Sequence, residues 1–115
     1  MNTTDCIFCK IIQGEIPSNN IFEDDTVVAF LDINPAAPTH ILIIPKEHIP
    51  SINELDPEHE KLVGHLFTVG KHLAEIHGVE KSGYRLLINT GPDSGQIVYH
   101  LHLHLLAGRK MGALA

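Results

Sequence analysis

A chain of 115 residues suits one domain with one core, and 43% hydrophobic with 19% charged residues is ordinary for a soluble globular protein. Eight basic against 14 acidic residues give a formal net charge of -6. That excludes a general nucleic-acid surface built on a basic stripe, but not a small anion held by backbone N–H groups and histidines. No apolar run approaches bilayer length, and the start MNTTDCIFCKIIQG lacks a basic-then-apolar secretion pattern, so the expected location is cytoplasmic, with no membrane partner.

Residues 5–13 read as a short helix or turn carrying both cysteines, Cys6 and Cys9, as C-x-x-C. In a reducing compartment this spacing suggests a metal half-site or a redox pair more than a structural disulfide. IFEDDTVVAFLDI predicts two strands, about 20–23 and 26–31, around a turn at Asp24 and Asp25. The two prolines of NPAAPTH predict a loop. The apolar run 40–45 predicts a strand ending at Pro45, which has no N–H to donate. Asp56-Pro57-Glu58 is a helix start, and the helix should run from about 57 to 77 and stop at Gly78. Leu62, Leu66, Val69, Leu73 and Ile76 recur at helical spacing as its buried stripe, leaving His59, His65 and His72 as solvated surface residues. A strand at 84–89 and the loop TGPDSGQ (90–96) follow. The sum is α+β: about five mainly antiparallel strands, one long helix and a short N-terminal helix, in a single domain spanning 1–115.

The chain then reads VYHLHLHLLAGR. On a strand, His100, His102 and His104 would share one face and Leu101, Leu103 and Leu105 the other. Neighbouring histidines would lie about 7 Å apart and the outer pair about 13 Å, so all three cannot grip one atom. One metal held by two of them needs a ligand from elsewhere. Alternatively the middle imidazole acts as a nucleophile, aided by its neighbours. Phosphorus suits that role, because an imidazole is neutral near pH 7 and attacks phosphoryl centres well. The charge that develops on phosphate oxygens needs donors, and the glycines of the preceding loop let backbone N–H groups approach.

His-x-His-x-His followed by two apolar residues is the signature of the histidine triad (HIT) superfamily. Together with CIFCKII, EIPS, FEDD, AFLDINPAAPTHILIIPKEHI, GYRLLINTG and SGQ, the chain resembles the Hint branch from about residue 5 to 112. The resemblance implies a HIT-like fold whose sheet continues across a homodimer. It also implies a hydrolase cleaving the P–N bond of purine nucleoside phosphoramidates through a nucleotidyl-histidine, with no cofactor required. Carried over, His102 is the nucleophile, and His104 contacts the phosphate and the leaving-group side. His100 orients the nucleophile through its backbone carbonyl, and His40 lies near the phosphate. Asp32 matches the ribose-binding acid, and Ile16, Phe30 and Ile33 match the walls around the base. Asn89 and the backbone of Gly95, Gln96, Ile97 and Val98 match the phosphate and leaving-group region.

Two departures bear on substrate choice. Ile97 stands where many Hint members have a phosphate-reaching serine, and the tail KMGALA lacks the tryptophan and prolines of some relatives. In other HIT branches a C-x-x-C, a later histidine and the first triad histidine hold structural zinc. The matching residues here are Cys6, Cys9, His48 and His100, with two reduced, buried thiols as the expectation and zinc as the alternative. Three further readings compete with the phosphoramidase. They are a dinucleoside polyphosphate hydrolase of the Fhit type, a non-catalytic nucleotide-binding or interaction module, and a metal-dependent enzyme using the triad as ligands.

Overall fold

Apolar residues alternate along the central strands, and that alternation sorts the core into two layers. The structure, a computed structural model, describes residues 5–114, so the ends of the expected domain, 1–4 and 115, lie outside the described residues. The strands are β1 (Asn20–Glu23), β2 (Val27–Leu31), β3 (Thr39–Pro45), β4 (Tyr84–Leu87) and β5 (Leu103–Ala107); the helices are α1 (Ile7–Ile12) and α2 (Glu60–Ile76). One five-stranded sheet has the order β1-β2-β3-β5-β4, with every neighbouring pair antiparallel.

Val27 and Ala29 of β2, with Ile41 and Ile43 of β3, join the core cluster beneath α2. The residues between them, Val28, Phe30, Leu42 and Ile44, join Phe8, Cys9 and Ile11 of α1 on the other side. This two-residue period explains why β3 reads as an unbroken apolar run: it is covered on both faces. Gly70 lets α2 sit close, since a Cβ there would lie 3.3 Å from Leu86 and 3.4 Å from Ile43. Among the described residues, no helix is long and apolar enough to cross a membrane.

The expected turn at Asp24 forms, its carboxylate accepting from the N–H groups of Thr26 and Val27. α2 begins later than expected, after a single 3-10 turn at Pro57–His59. Ile76 leaves the expected stripe and is 62% exposed. The chain reverses at Gly78 (φ +69), where Val79 N–H bonds back to Ala74 O, and buried Val79 closes that end of the core instead. His59 is more than a solvated residue: its Nδ1 accepts from Asp56 N–H (2.9 Å), capping the helix start. His65 Nε2 is 2.6 Å from Asp24 Oδ2, tying α2 to the β1–β2 turn, and His72 is exposed.

Candidate active site

The three alternating histidines do not form one strand face. β5 begins only at Leu103, so His104 alone of the three is on a strand, opposite Leu42 of β3 and Leu87 of β4. The last rung between β3 and β5 is Ile43–Leu103. Beyond it, Pro45 offers no N–H, its carbonyl accepts from the His100 ring (Nε2, 2.8 Å), and Leu101 N–H turns instead to Ile49 O. With its ladder partners taken, the segment bends. His102 and His104 then have ring centroids 4.8 Å apart, closer than the strand spacing expected for them, while His100 is carried into a different cluster.

Backbone contacts decide which nitrogen of each ring is free. His102 Nδ1–H donates to His100 O (2.7 Å), which leaves the Nε2 lone pair exposed to chemistry. Ala36 N–H donates to His40 Nδ1 (3.0 Å), so the His40 proton sits on Nε2. That proton points to His104 Nδ1, 3.0 Å away, with Asp32 Oδ2 at 3.5 Å. His104 therefore carries its own proton on Nε2, and this buried nitrogen has no partner among the described residues. The result is a nucleophile-ready nitrogen beside a donor-ready N–H.

Burial keeps the group neutral. It pushes His104 down to about 4, with His102 and His40 adding to the depression and Asp32 opposing it. The same burial lowers His102 against the opposing pull of the His100 carbonyl and Asp32, and lowers His40 against Asp32.

Both His102 and His104 face a cavity of about 370 Å³. Of the residues the resemblance singled out, Ile16, Phe30, Asp32, Ile33, Asn89, Gly95, Ile97 and Val98 also line it. His40 does not line it but stands directly behind His104. Gln96 is turned away: its side chain accepts from Gly91 N–H and donates to the carbonyls of Pro50 and Val98, holding the glycine loop in shape. Ile33 and Ile97, 88% and 87% exposed, flank the mouth. Sequence reasoning missed Phe8 and Leu42 as cavity walls. Phe8 packs edge-on against Phe30 and His102, at 5.5 and 5.1 Å between centroids. The apolar face of α1 was its available signal.

His100 faces the cysteines. Its Nδ1 lies 3.4 Å from Cys6 Sγ, 3.6 Å from Cys9 Sγ and 3.2 Å from His48 Nδ1, and Cys9 Sγ is 3.3 Å from His48 Nδ1. All four ligand atoms fall within 4.8 Å of one another. A tetrahedral zinc with bonds of about 2.0–2.3 Å has edges of roughly 3.3–3.8 Å, so the donor set fits a structural zinc. The bond from His100 Nε2–H to Pro45 O directs its lone pair to the cluster, as a metal-binding histidine requires. Both cysteines are free and buried, and burial, with Cys6 alongside, pushes the Cys9 thiol up to about 11.

The chain is similar to known proteins along most of its length. The family model described as HIT domain matches residues 13–111. The chain is 52% identical over 108 residues to the purine nucleoside phosphoramidase of Escherichia coli (strain K12), covering 94% of this chain and 91% of that protein. It is 50% identical over 107 residues to the 14 kDa zinc-binding protein of Zea mays, covering 91% and 83%. Among solved structures, the HIT family hydrolase from Legionella pneumophila Philadelphia 1 superposes with a TM-score of 0.92 at 50% identity, over 94% of this chain and 96% of that one. A histidine triad protein from Clostridium difficile matches with a TM-score of 0.94 at 45% identity, over the whole of both chains.

Proposed function

The chain belongs to the HIT family, and from that premise we propose that it hydrolyses the P–N bond of purine nucleoside phosphoramidates, releasing an amine and a nucleoside monophosphate. The observation that carries this reading is the pair of complementary ring nitrogens at the cavity, His102 Nε2 with a free lone pair and His104 Nε2 with a free proton. The base lies between Ile16, Phe30 and Ile33, and Asp32 accepts from the ribose hydroxyls, a task suited to an acceptor-only carboxylate.

In the first step His102 Nε2 attacks phosphorus, forming an N–P bond as the bond to the amine nitrogen breaks. As the anionic phosphate arrives the basicity of His104 rises and the ring takes up a proton from solvent; the cation then gives its Nε2–H to the departing amine and is left neutral. The His102 ring becomes a cation that keeps its Nδ1–H on the His100 carbonyl. In the second step water attacks the nucleotidyl-histidine, restoring neutral His102 and returning the proton borrowed in the first. No metal takes part in this cycle. Zinc, held by Cys6, Cys9, His48 and His100, would serve the fold by fixing the segment that carries the His100 carbonyl.

β4 is an edge strand of the sheet, and its free side offers pairing to a second copy, which supports a homodimer with one continuous sheet. The cytoplasmic location expected from the sequence is part of this proposal; among the described residues no helix is long and apolar enough to cross a membrane.

Intact-protein mass after mixing with an adenosine phosphoramidate and rapid quenching tests the route. The expected result is an adduct of one AMP in the wild type and in a slowed His104→Ala variant, absent from His102→Ala. Faster turnover of diadenosine polyphosphates than of phosphoramidates would overturn the substrate class in favour of the Fhit type. AMP binding with neither adduct nor amine release would overturn the enzyme reading altogether.

A further inference from the structure

The chain of hydrogen bonds behind His104 does not end at His40. Ala36, whose N–H sets the His40 tautomer, accepts at its carbonyl from Arg109 Nη2 (2.8 Å). Both polar groups of this loop residue are thus committed, one to the buried imidazole and one to a guanidinium arriving from beyond β5. The loop also rests on the turn that presents Arg109: a Cβ at Gly108 would come within 2.8 Å of Pro38 Cβ, and Gly108 has φ +94, a conformation that favours glycine. Loop 34–38 and turn 108–109 therefore meet closely at two points, one steric and one charge-assisted.

We propose that Arg109 is a positioning residue: by holding Ala36 it keeps His40 protonated on Nε2, and so keeps His104 presenting its Nε2–H to the cavity. The logic is one of single occupancy. A neutral imidazole has one proton, and the Ala36 N–H at Nδ1 forces it to Nε2. If Ala36 swings away, His40 Nδ1 loses its donor and the ring is free to take either tautomer. With the proton on Nδ1, His40 Nε2 becomes an acceptor facing the His104 Nδ1 acceptor. His104 then moves its proton to Nδ1 to satisfy the pair and no longer offers Nε2–H. Arg109 is exposed and absent from the cavity lining, so it acts on the chemistry only through the loop.

This inference concerns the site read above as a phosphoramidase, and its test separates the two. Protein labelled with 15N-histidine reports, by two-bond proton–nitrogen correlation, which ring nitrogen of His40 and of His104 is protonated. The wild type is expected to show both on Nε2. Arg109→Ala is expected to show mixed or shifted patterns at both rings, with kcat for an adenosine phosphoramidate down roughly 10-fold and the AMP Kd within about twofold. Arg109→Lys, able to give one bond to the Ala36 carbonyl, should recover most of both signals. An unchanged nitrogen pattern, or full kcat in Arg109→Ala, overturns the proposal. So does a weakened AMP Kd with the pattern intact, which would make Arg109 a direct ligand contact. Should the wild type fail to turn over phosphoramidates, the proposed function falls, and the nitrogen pattern alone still decides the role of Arg109.

Discussion

Two histidine-built pockets lie back to back, with the Phe8 ring between them, 5.9 Å from His100 and 5.1 Å from His102 between centroids. In the sealed one, Cys6, Cys9, His48 and His100 turn their ligand atoms toward a common centre. In the open one, His102 and His104 line a cavity of about 370 Å³. The residue type is the same, and the difference lies in what engages the other nitrogen. The Pro45 carbonyl sends the His100 lone pair to the thiols, whereas the His100 carbonyl sends the His102 lone pair to the cavity. A backbone acceptor thus assigns His100 and His102 their chemistry, and one peptide carbonyl, that of His100, joins the two pockets.

The sharpest way to break this comparison is to remove one ring from each side. His102→Ala should lower kcat by on the order of 10⁴-fold or more while AMP still binds, since among the described residues lining the cavity no other imidazole has a free lone pair. His104→Ala should cost roughly 10²–10⁴-fold, the usual worth of a placed acid. On the sealed side the expected signature is reversed. Cys9→Ala breaks a buried cluster and should cost about 2 kcal/mol of stability, read by urea denaturation, with AMP affinity changed less than twofold. If the cluster holds zinc, a chelator should lower the Tm of the wild type but not of this variant. Equal loss of stability from His102→Ala and Cys9→Ala would dissolve the distinction between the two pockets.

Most of the sheet was legible in the sequence because its strands carry their own signals. β1 falls at 20–23 as predicted, since Asp24 caps the turn that ends it, and β3 stops at Pro45 for want of a donor. β5 was harder. The alternation from His100 to Leu105 is a genuine strand pattern, yet a strand also needs partners. The features that remove them, the Pro45 carbonyl and Ile49 O, lie some fifty residues away. For Gln96 the resemblance concerns the backbone, and only three-dimensional contacts reveal what its side chain does, which is to hold the glycine loop. Only the alternating histidines stood out by their own pattern; Asp32 at a strand end and His40 at the start of an apolar strand were singled out by the resemblance, since a turn-capping aspartate and a core histidine are ordinary at such places. Ile76 misled because helical period does not reveal where a helix outruns the sheet beneath it.

The smallest expected effect is the dependence of stability on pH, and it separates the pockets without mutation. His104 is held at about 4 and His40 also lies below the ordinary 6.5, chiefly through burial. In the unfolded chain both return to about 6.5. Between pH 6.5 and about 4, therefore, the unfolded state binds protons that the folded state refuses, and stability must fall as pH falls through that window. The loss at pH 5 is on the order of 1 kcal/mol for a site like His104, visible as a Tm lower at pH 5 than at pH 7.5. AMP at saturating concentration should blunt the drop, because its phosphate favours the protonated imidazole facing it. If the cysteine side holds zinc, His100 titrates only when acid displaces the metal, so chelated protein should show the steeper decline. A Tm that stays flat from pH 7.5 to 5, with or without AMP, would mean that His40 and His104 take up protons in the folded state as readily as in the unfolded chain. The open pocket would then become charged within that window rather than keep the two neutral rings that the Ala36 N–H and the burial imply.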